Sequence, residues 1–148
     1  KFLTRNFVKK ANLKNGRVLF DKTCQQCHTL FGTGGKIGPE ITGSNRDNSD
    51  YILENILTPS AFIGKGYELT NILTTDEQLI SGIIVEKSPV RIVVQTLNEK
   101  LVLDRAEIDE MKSSQTSMMP QGLVDGMTRE EVRDLIGYLA SSAQVPLD

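Results

Sequence analysis

Two cysteines and a histidine lie close together near the start of the chain, in the segment Cys24-Gln25-Gln26-Cys27-His28. Residues three apart on a helical turn project to the same side, so both sulfurs can reach the two vinyl groups along one edge of a porphyrin. His28 then follows at the position from which it can ligate the iron. Because C-x-x-C-H is the attachment signature of c-type haem, we predict one haem c bound through Cys24 and Cys27, with His28 as an axial ligand.

Other classes of protein also contain C-x-x-C sites. A structural zinc site normally has four Cys or His ligands, whereas this chain has two cysteines and one histidine. A thioredoxin-like redox pair usually follows a strand, but residues 12–22 have a helical pattern. A plain disulfide does not explain why the only histidine directly follows Cys27. A redox or disulfide C-x-x-C pair stays open as the alternative.

Composition restricts the class of protein. The 148 residues predict one domain, 1–148, that is large enough to bury a core. No basic patch with interleaved aromatic residues is present, so nucleic-acid binding has no support. No apolar run is long enough to span a bilayer. The chain starts at Lys1 without an initiator Met or a signal-like segment, and we therefore expect a processed product or a domain of a longer protein.

Helical periodicity dominates the N-terminal half, residues 12–66, which contains the C-x-x-C-H segment. Asn12 is a predicted N-cap, and the helix after it presents an apolar face formed by Leu13, Val18, Leu19 and Phe20. Asn48 or Ser49 is predicted to cap a second helix that Pro59 ends. Residues 1–11 are predicted to be a short lead-in helix or a linker.

An alternating pattern predicts a small β-sheet between about residues 67 and 105. Its β-branched runs predict three or four short antiparallel strands, which we interpret as a structural insertion. Residues 105–113 are predicted to form a short helix, and Thr128 and Glu131 form a capping box at the start of the last helix. The predicted fold is therefore mainly α, and residues 106–148 supply a methionine loop and the C-terminal helix.

The glycine-rich loop from Gly32 to Gly38 directly follows the histidine. A phosphate-binding loop is poorly supported, because no Lys-Ser/Thr pair follows it and no strand is predicted before it. A loop that folds closely over a flat cofactor fits better. The carbonyl of Pro39 is predicted to accept a hydrogen bond from Nδ1–H of His28, which would fix the tautomer and leave Nε2 for iron.

A second axial ligand must come from a residue other than histidine, because His28 is the only one. Of the four methionines, Met127 precedes the Thr128 cap and Met111 fits a packing role. Met118 and Met119 lie in a loop, and Pro120 would hold the residue before it extended. We predict Met119 as the ligand, with Met118 as the runner-up, and both could also be core residues.

The motifs together resemble those of class I cytochrome c. The matching segments are Gly16-x3-Phe20-x3-Cys24-x2-Cys27-His28, Gly38-Pro39-x-Ile41-x-Gly43, Met119-Pro120 and Leu135-x2-Tyr138-Leu139. The resemblance implies a helical fold around one covalent haem. It also implies that Gly16 and Phe20 mark the crossing of the first and last helices, where Tyr138 would meet them.

The chain is also similar, nearly end to end, to the haem-binding cytochrome domain frequent in planctomycetes and related bacteria. The matching features are residues 50–59, the inserted sheet and the segment 117–123. Many class I members use a tryptophan that this chain lacks. Arg46, Tyr51 and Ser60 are candidates on side-chain chemistry alone to hold the haem propionates, and ordinary surface or capping roles stay open for each.

The resemblance implies single-electron transfer rather than enzymatic turnover. It also implies export, because c-type haem is installed outside the bacterial cytoplasm in this family. We predict that the partner is an oxidoreductase, such as a dehydrogenase domain in the same polypeptide. The alternative function is a haem enzyme or gas sensor, which would require an open or labile sixth position at the iron.

Overall fold

The computed structural model describes residues 3–148, which divide into two compact units. One unit contains the described residues up to Thr58 together with Gln121–Asp148, and the other contains Pro59–Pro120. The first unit contains the helices α1 (Arg5–Val8), α2 (Leu13–Thr23), α3 (Ser49–Leu57) and α4 (Arg129–Leu139). It also contains a hairpin of β1 (Thr29–Leu30) and β2 (Thr33–Gly34). Of the predicted lead-in, residues 1 and 2 lie outside the described residues, and α1 occupies part of the remainder.

The helix starts agree with their local sequence signals. Asn12 Oδ1 accepts a hydrogen bond of 3.1 Å from the backbone N–H of Asn15, which caps α2. Asn48 caps α3 in the same way. Thr128 and Glu131 each accept from the other's backbone N–H at the start of α4. The predicted caps at Asn12, Asn48 and Thr128 are therefore confirmed, because side-chain oxygens satisfy N–H groups that a helix leaves unpaired.

Helices α2 and α4 cross at Gly16. A Cβ added there would lie 2.0 Å from the backbone oxygen of Asp134, so only glycine lets the two backbones touch. One turn later the rings of Phe20 and Tyr138 pack with centroids 5.6 Å apart, and both side chains are almost fully buried. The prediction that Gly16 and Phe20 mark this crossing and meet Tyr138 is confirmed.

A buried carboxylate joins the same two helices. Asp134 Oδ1 accepts from the backbone N–H of Asn12 at 2.8 Å, and Oδ2 accepts from the side-chain amide of Asn15 at 2.9 Å. Arg133 Nε donates to Oδ1 at 2.9 Å. Burial alone would raise the pKa of Asp134, but the hydrogen bonds and the charge of Arg133 outweigh burial and lower that pKa below its ordinary value.

We expect Asp134→Asn to reduce the free energy of unfolding by about 2 kcal/mol at neutral pH, because charge-assisted hydrogen bonds are lost. A lowered folded pKa means that the carboxylate stabilises the fold above the ordinary Asp pKa of about 3.9. That contribution is lost as the pH falls through the lowered value. Urea unfolding at a series of pH values should therefore show the wild type and the variant converging in acid.

The control for this measurement is Asp47→Asn, which changes an exposed carboxylate of the same unit. We expect Asp47→Asn to follow the wild-type curve at every pH. A constant difference between wild type and Asp134→Asn from neutral to acidic pH would contradict the assigned role of the Asp134 charge.

The unit Pro59–Pro120 is built on an antiparallel sheet of five strands. The strands are β3 (Thr70–Thr74), β4 (Leu79–Lys87), β5 (Arg91–Gln95), β6 (Lys100–Asp104) and β7 (Ile108–Ser113), in the order β6-β5-β4-β3-β7. Ile72, Ile92 and Val94 are fully buried, and Met111 packs against them. The packing role predicted for Met111 is confirmed.

The prediction of a mainly α fold is wrong. The described residues form four helices and a five-stranded sheet, and the helical and strand residues are nearly equal in number. Residues 105–113 contain only a 3-10 turn at Arg105–Glu107, and β7 then pairs with β3. The strands therefore extend to Ser113, beyond the predicted limit of about 105. Spacing of Ile108 and Met111 suggested a helix, but pairing with a distant strand determines the structure.

In the part of the chain from residue 3 onwards, the structure contains no helix that is both long enough and apolar enough to cross a membrane.

Candidate haem-attachment site

The two cysteines lie in a tight turn directly after α2. Cys24 caps the helix, and its N–H donates to Phe20 O at 2.8 Å. Its carbonyl accepts from the N–H groups of Cys27 and His28, at 3.1 and 3.0 Å. The segment is thus a turn after the helix rather than the helical turn that we expected. This turn brings Cys24, Cys27 and His28 close together.

Both thiols are free rather than joined in a disulfide. Burial is the main cause that raises the pKa of the Cys24 thiol to about 12, and the charge of the neighbouring Cys27 adds to it. Burial also raises the pKa of the Cys27 thiol. A reactive redox pair has a lowered thiol pKa, so these surroundings do not favour thioredoxin-like chemistry. Within residues 3–148, no three or more His, Cys, Asp or Glu side chains are grouped to hold a metal ion.

The ring of His28 is oriented by Pro39. Nδ1 of His28 lies 2.7 Å from the carbonyl oxygen of Pro39. A carbonyl can only accept, so Nδ1 carries the proton and donates it, and in the neutral ring Nε2 then has the free lone pair. The predicted hydrogen bond between His28 and Pro39 is confirmed.

Glycines allow the following loop to fold onto the C-x-x-C-H turn. Gly35 N–H donates to Gln25 O at 2.8 Å, and Gly38 N–H donates to Cys27 O at 2.7 Å. A Cβ at Gly35 would lie 1.8 Å from Gln26 O, and one at Gly38 would lie 2.7 Å from Cε1 of His28. The sequence indicated a closely folded loop, but it did not show which glycines make these contacts.

The hairpin β1–β2 starts this loop. Its two turn residues, Phe31 and Gly32, both have positive φ, at 53° and 79°. Positive φ at both positions is what a two-residue type I′ turn requires. Phe31 N–H donates to Thr42 Oγ1 at 2.9 Å, and the Phe31 ring meets Tyr138 edge-on. The hairpin therefore ties the segment after His28 to α4.

Arg46 is used by the backbone of the same unit. Its Nε donates to Thr42 O at 2.9 Å, and its Nη1 donates to Leu139 O and Ser141 O at 2.6 and 2.8 Å. Its guanidinium also lies 5.0 Å from the centroid of the Phe31 ring. A contact with a haem propionate would fall to Nη2, the guanidinium nitrogen outside these bonds.

Tyr51, also predicted to contact a propionate, lies in the first turns of α3, and its side chain is 41% exposed. Its backbone N–H donates to the cap residue Asn48, and its carbonyl accepts from the Asn55 amide. The backbone of Tyr51 thus takes part in the hydrogen bonds of α3, and the residue is exposed to solvent.

Met119 and Ser60 belong to the sheet unit, Pro59–Pro120. Both Met118 and Met119 are half-buried. Met119 N–H donates to Ser117 Oγ at 3.1 Å, and Ser117 N–H donates to Ser60 Oγ at 3.0 Å. Sequence reasoning named Ser60 for another role and missed Ser117, although a serine two residues before Met119 is a recognised signal for a local side-chain-to-backbone bond.

The residues of the turn and loop fit a covalently attached haem. Two free thiols are held within four residues, an imidazole is oriented through Nδ1, and the loop packs on them without Cβ atoms in the way. Cys24, Cys27, His28 and Pro39 are thus brought together, whereas Arg46 is committed largely to backbone carbonyls. A thiol pair followed by an oriented imidazole is the arrangement expected of c-type cytochromes, and these residues fit that class.

Comparison with known proteins agrees with this class. Residues 11–67 match the family model of the cytochrome c oxidase, cbb3-type, subunit III. The matched residues include α2, the C-x-x-C-H turn, the glycine-rich loop and α3. No curated protein matches the chain. The family match, which covers less than half of the chain, supports a haem-binding electron-transfer cytochrome.

Proposed function

We propose that the chain carries one haem c, bound by thioether bonds to Cys24 and Cys27, and transfers single electrons. The observation that supports this most directly is the 2.7 Å hydrogen bond from Nδ1 of His28 to the Pro39 carbonyl. This bond leaves Nε2 as the metal-binding nitrogen, and a carbonyl partner is the usual means of orienting a ligating histidine. When bound, the haem supplies an iron that gains and loses one electron.

His28 and Met119 are the proposed axial ligands. A thioether ligand raises the reduction potential relative to a second imidazole. With two ligands from the chain, no position is left for a substrate, and this agrees with a carrier rather than an enzyme. Tyr51 and Arg46 are the proposed propionate contacts, and for Arg46 this would add to its bonds with the carbonyls.

The proposed partner is an oxidoreductase, such as a dehydrogenase domain in the same polypeptide. Cytochrome c domains are typically extracytoplasmic, and we propose a periplasmic location for this one. The proposed relatives are the planctomycete-type haem-binding domains, in which a sheet interrupts one cytochrome c domain. In this chain the corresponding sheet lies within the unit Pro59–Pro120.

Expression in a host that matures c-type cytochromes tests the attachment. We expect a red protein whose haem stays with the polypeptide after denaturation, with the pyridine haemochrome spectrum of two thioether bonds. Cys24→Ser and Cys27→Ser should each shift that spectrum to that of one thioether bond. The double variant should lose all its haem to acidic acetone.

The control is Gln26→Ala, which alters the turn while leaving both thiols and the imidazole in place. Gln26→Ala should keep the haem and the wild-type haemochrome spectrum. A colourless wild-type protein from a competent host, or haem that acidic acetone extracts from the wild type, would refute covalent attachment.

A further inference from the structure

A short chain of hydrogen bonds leads from Ser60 to the backbone of Met119. Ser117 N–H donates to Ser60 Oγ at 3.0 Å, which joins positions 57 residues apart in sequence. Ser117 Oγ in turn accepts from Met119 N–H at 3.1 Å. Ser117 is therefore held by its own N–H and holds Met119 with its own hydroxyl. All three residues belong to the unit Pro59–Pro120.

The segment before Met119 follows directly on the pairing of β3 with β7. The ladder between the two strands reaches Thr70 and Ser113. Ser114 N–H then donates to Leu69 O at 2.8 Å, one step beyond the ladder. Three residues later, the backbone N–H of Ser117 bonds to Ser60, which lies in a turn near the start of the unit and outside the strands. The segment with Met119 is thus tied, shortly after the sheet ends, to the first residues of the unit.

From this geometry we infer that Ser60 and Ser117 are positioning residues for Met119. The inference rests on the proposed role of Met119 as an axial ligand. A methionine on an unrestrained loop loses conformational freedom each time its sulfur binds the iron, and that cost favours the unbound state. Fixing the backbone on both sides of Ser117 removes part of this cost before the sulfur binds, and so shifts the equilibrium toward the bound state.

This role differs from the one the side chain alone suggested. As a propionate contact, Ser60 would act through its hydroxyl on the haem. Here the hydroxyl oxygen accepts from the N–H of Ser117, and its effect on the iron passes through the Met119 backbone. The substitution Ser60→Ala removes the acceptor, whereas Ser60→Thr keeps it.

Titration of the oxidised holoprotein with imidazole measures this effect, because imidazole competes with the methionine sulfur for the iron. The far-red absorption of the sulfur–iron bond disappears as imidazole binds. We expect Ser60→Ala to bind imidazole about fivefold more tightly, the factor that corresponds to one net hydrogen bond. Ser117→Ala should show a similar increase, and Ser60→Thr should restore the wild-type affinity.

The matched control is Ser81→Ala, in the same unit. It removes the 2.7 Å hydrogen bond from Ser81 Oγ to the Asn71 side chain but no bond of the Met119 segment. We expect its imidazole affinity to equal that of the wild type. An equal increase in Ser81→Ala would indicate general loosening of the sheet unit and would overturn the inference.

The outcomes separate this inference from the proposed function. A wild-type protein with the far-red absorption, together with unchanged imidazole binding in Ser60→Ala and Ser117→Ala, would overturn the positioning role alone. A wild type without that absorption would remove Met119 as a ligand and the positioning role with it. Ser60→Ala changes an exposed residue. If this variant nevertheless failed to mature, Ser117→Ala would decide the result.

Discussion

Replacing Met119 by leucine is expected to abolish the far-red sulfur–iron absorption of the oxidised protein and to lower its reduction potential. Leucine has nearly the volume of methionine but no sulfur, so the iron would lose a ligand while packing changes little. Visible spectroscopy and a potentiometric titration measure the two effects. The matched variant is Met118→Leu, in the same loop, which should keep both properties.

Carbon monoxide binding to the wild type and to Met119→Leu also separates an electron carrier from a haem enzyme or gas sensor. We expect the reduced wild type to bind carbon monoxide slowly and incompletely, and Met119→Leu to bind it fast and completely. Fast, complete binding by the wild type would favour the enzyme or sensor. If the far-red absorption persisted in Met119→Leu and vanished in Met118→Leu, the assignment of the ligand would be wrong.

Gly16→Ala is expected to lower the free energy of unfolding of the helical unit by about 3 kcal/mol. The added Cβ would lie 2.0 Å from Asp134 O and 2.7 Å from the Cβ of Tyr138, and the first of these atoms is backbone. Helices α2 and α4 would have to move apart. The higher helix propensity of alanine offsets only about 1 kcal/mol of this cost. Urea unfolding followed by far-UV circular dichroism measures the change.

The control for this variant is Gly126→Ala, in the loop before α4, because a Cβ there would meet no atom within 4 Å. We expect its unfolding curve to overlay that of the wild type. A Gly16→Ala protein as stable as Gly126→Ala would contradict the close crossing of α2 and α4.

Local signals carried most of what the sequence predicted correctly. A cap such as Asn12 or the pair Thr128 and Glu131 bonds to N–H groups within three residues, so the pattern and the structure lie in the same short stretch. The bond between His28 and Pro39 spans eleven residues, and it was predicted because the Pro39 carbonyl is a free acceptor at the end of the loop that follows His28.

Long-range partners account for what was mispredicted or missed. Residues 105–113 have helical spacing, yet β7 forms because β3, more than thirty residues earlier in the chain, offers it a partner strand. The bonds from Arg46 to Leu139 O and from Ser117 to Ser60 likewise join distant segments. No local pattern encodes such pairs, so the mainly α prediction failed at the strand β7, which extends the sheet to Ser113.

Two contacts of α4 respond differently to acidity. At the start of α2 the Asp134 carboxylate accepts hydrogen bonds from Asn12 and Asn15, and this carboxylate loses its charge in acid. At the end of α4 the Arg46 side chain donates instead to the backbone oxygens of Leu139 and Ser141, and neither acceptor is an ionisable group. Acidification therefore weakens the attachment of α4 to the start of α2 and leaves the carbonyl acceptors at the end of α4 unchanged.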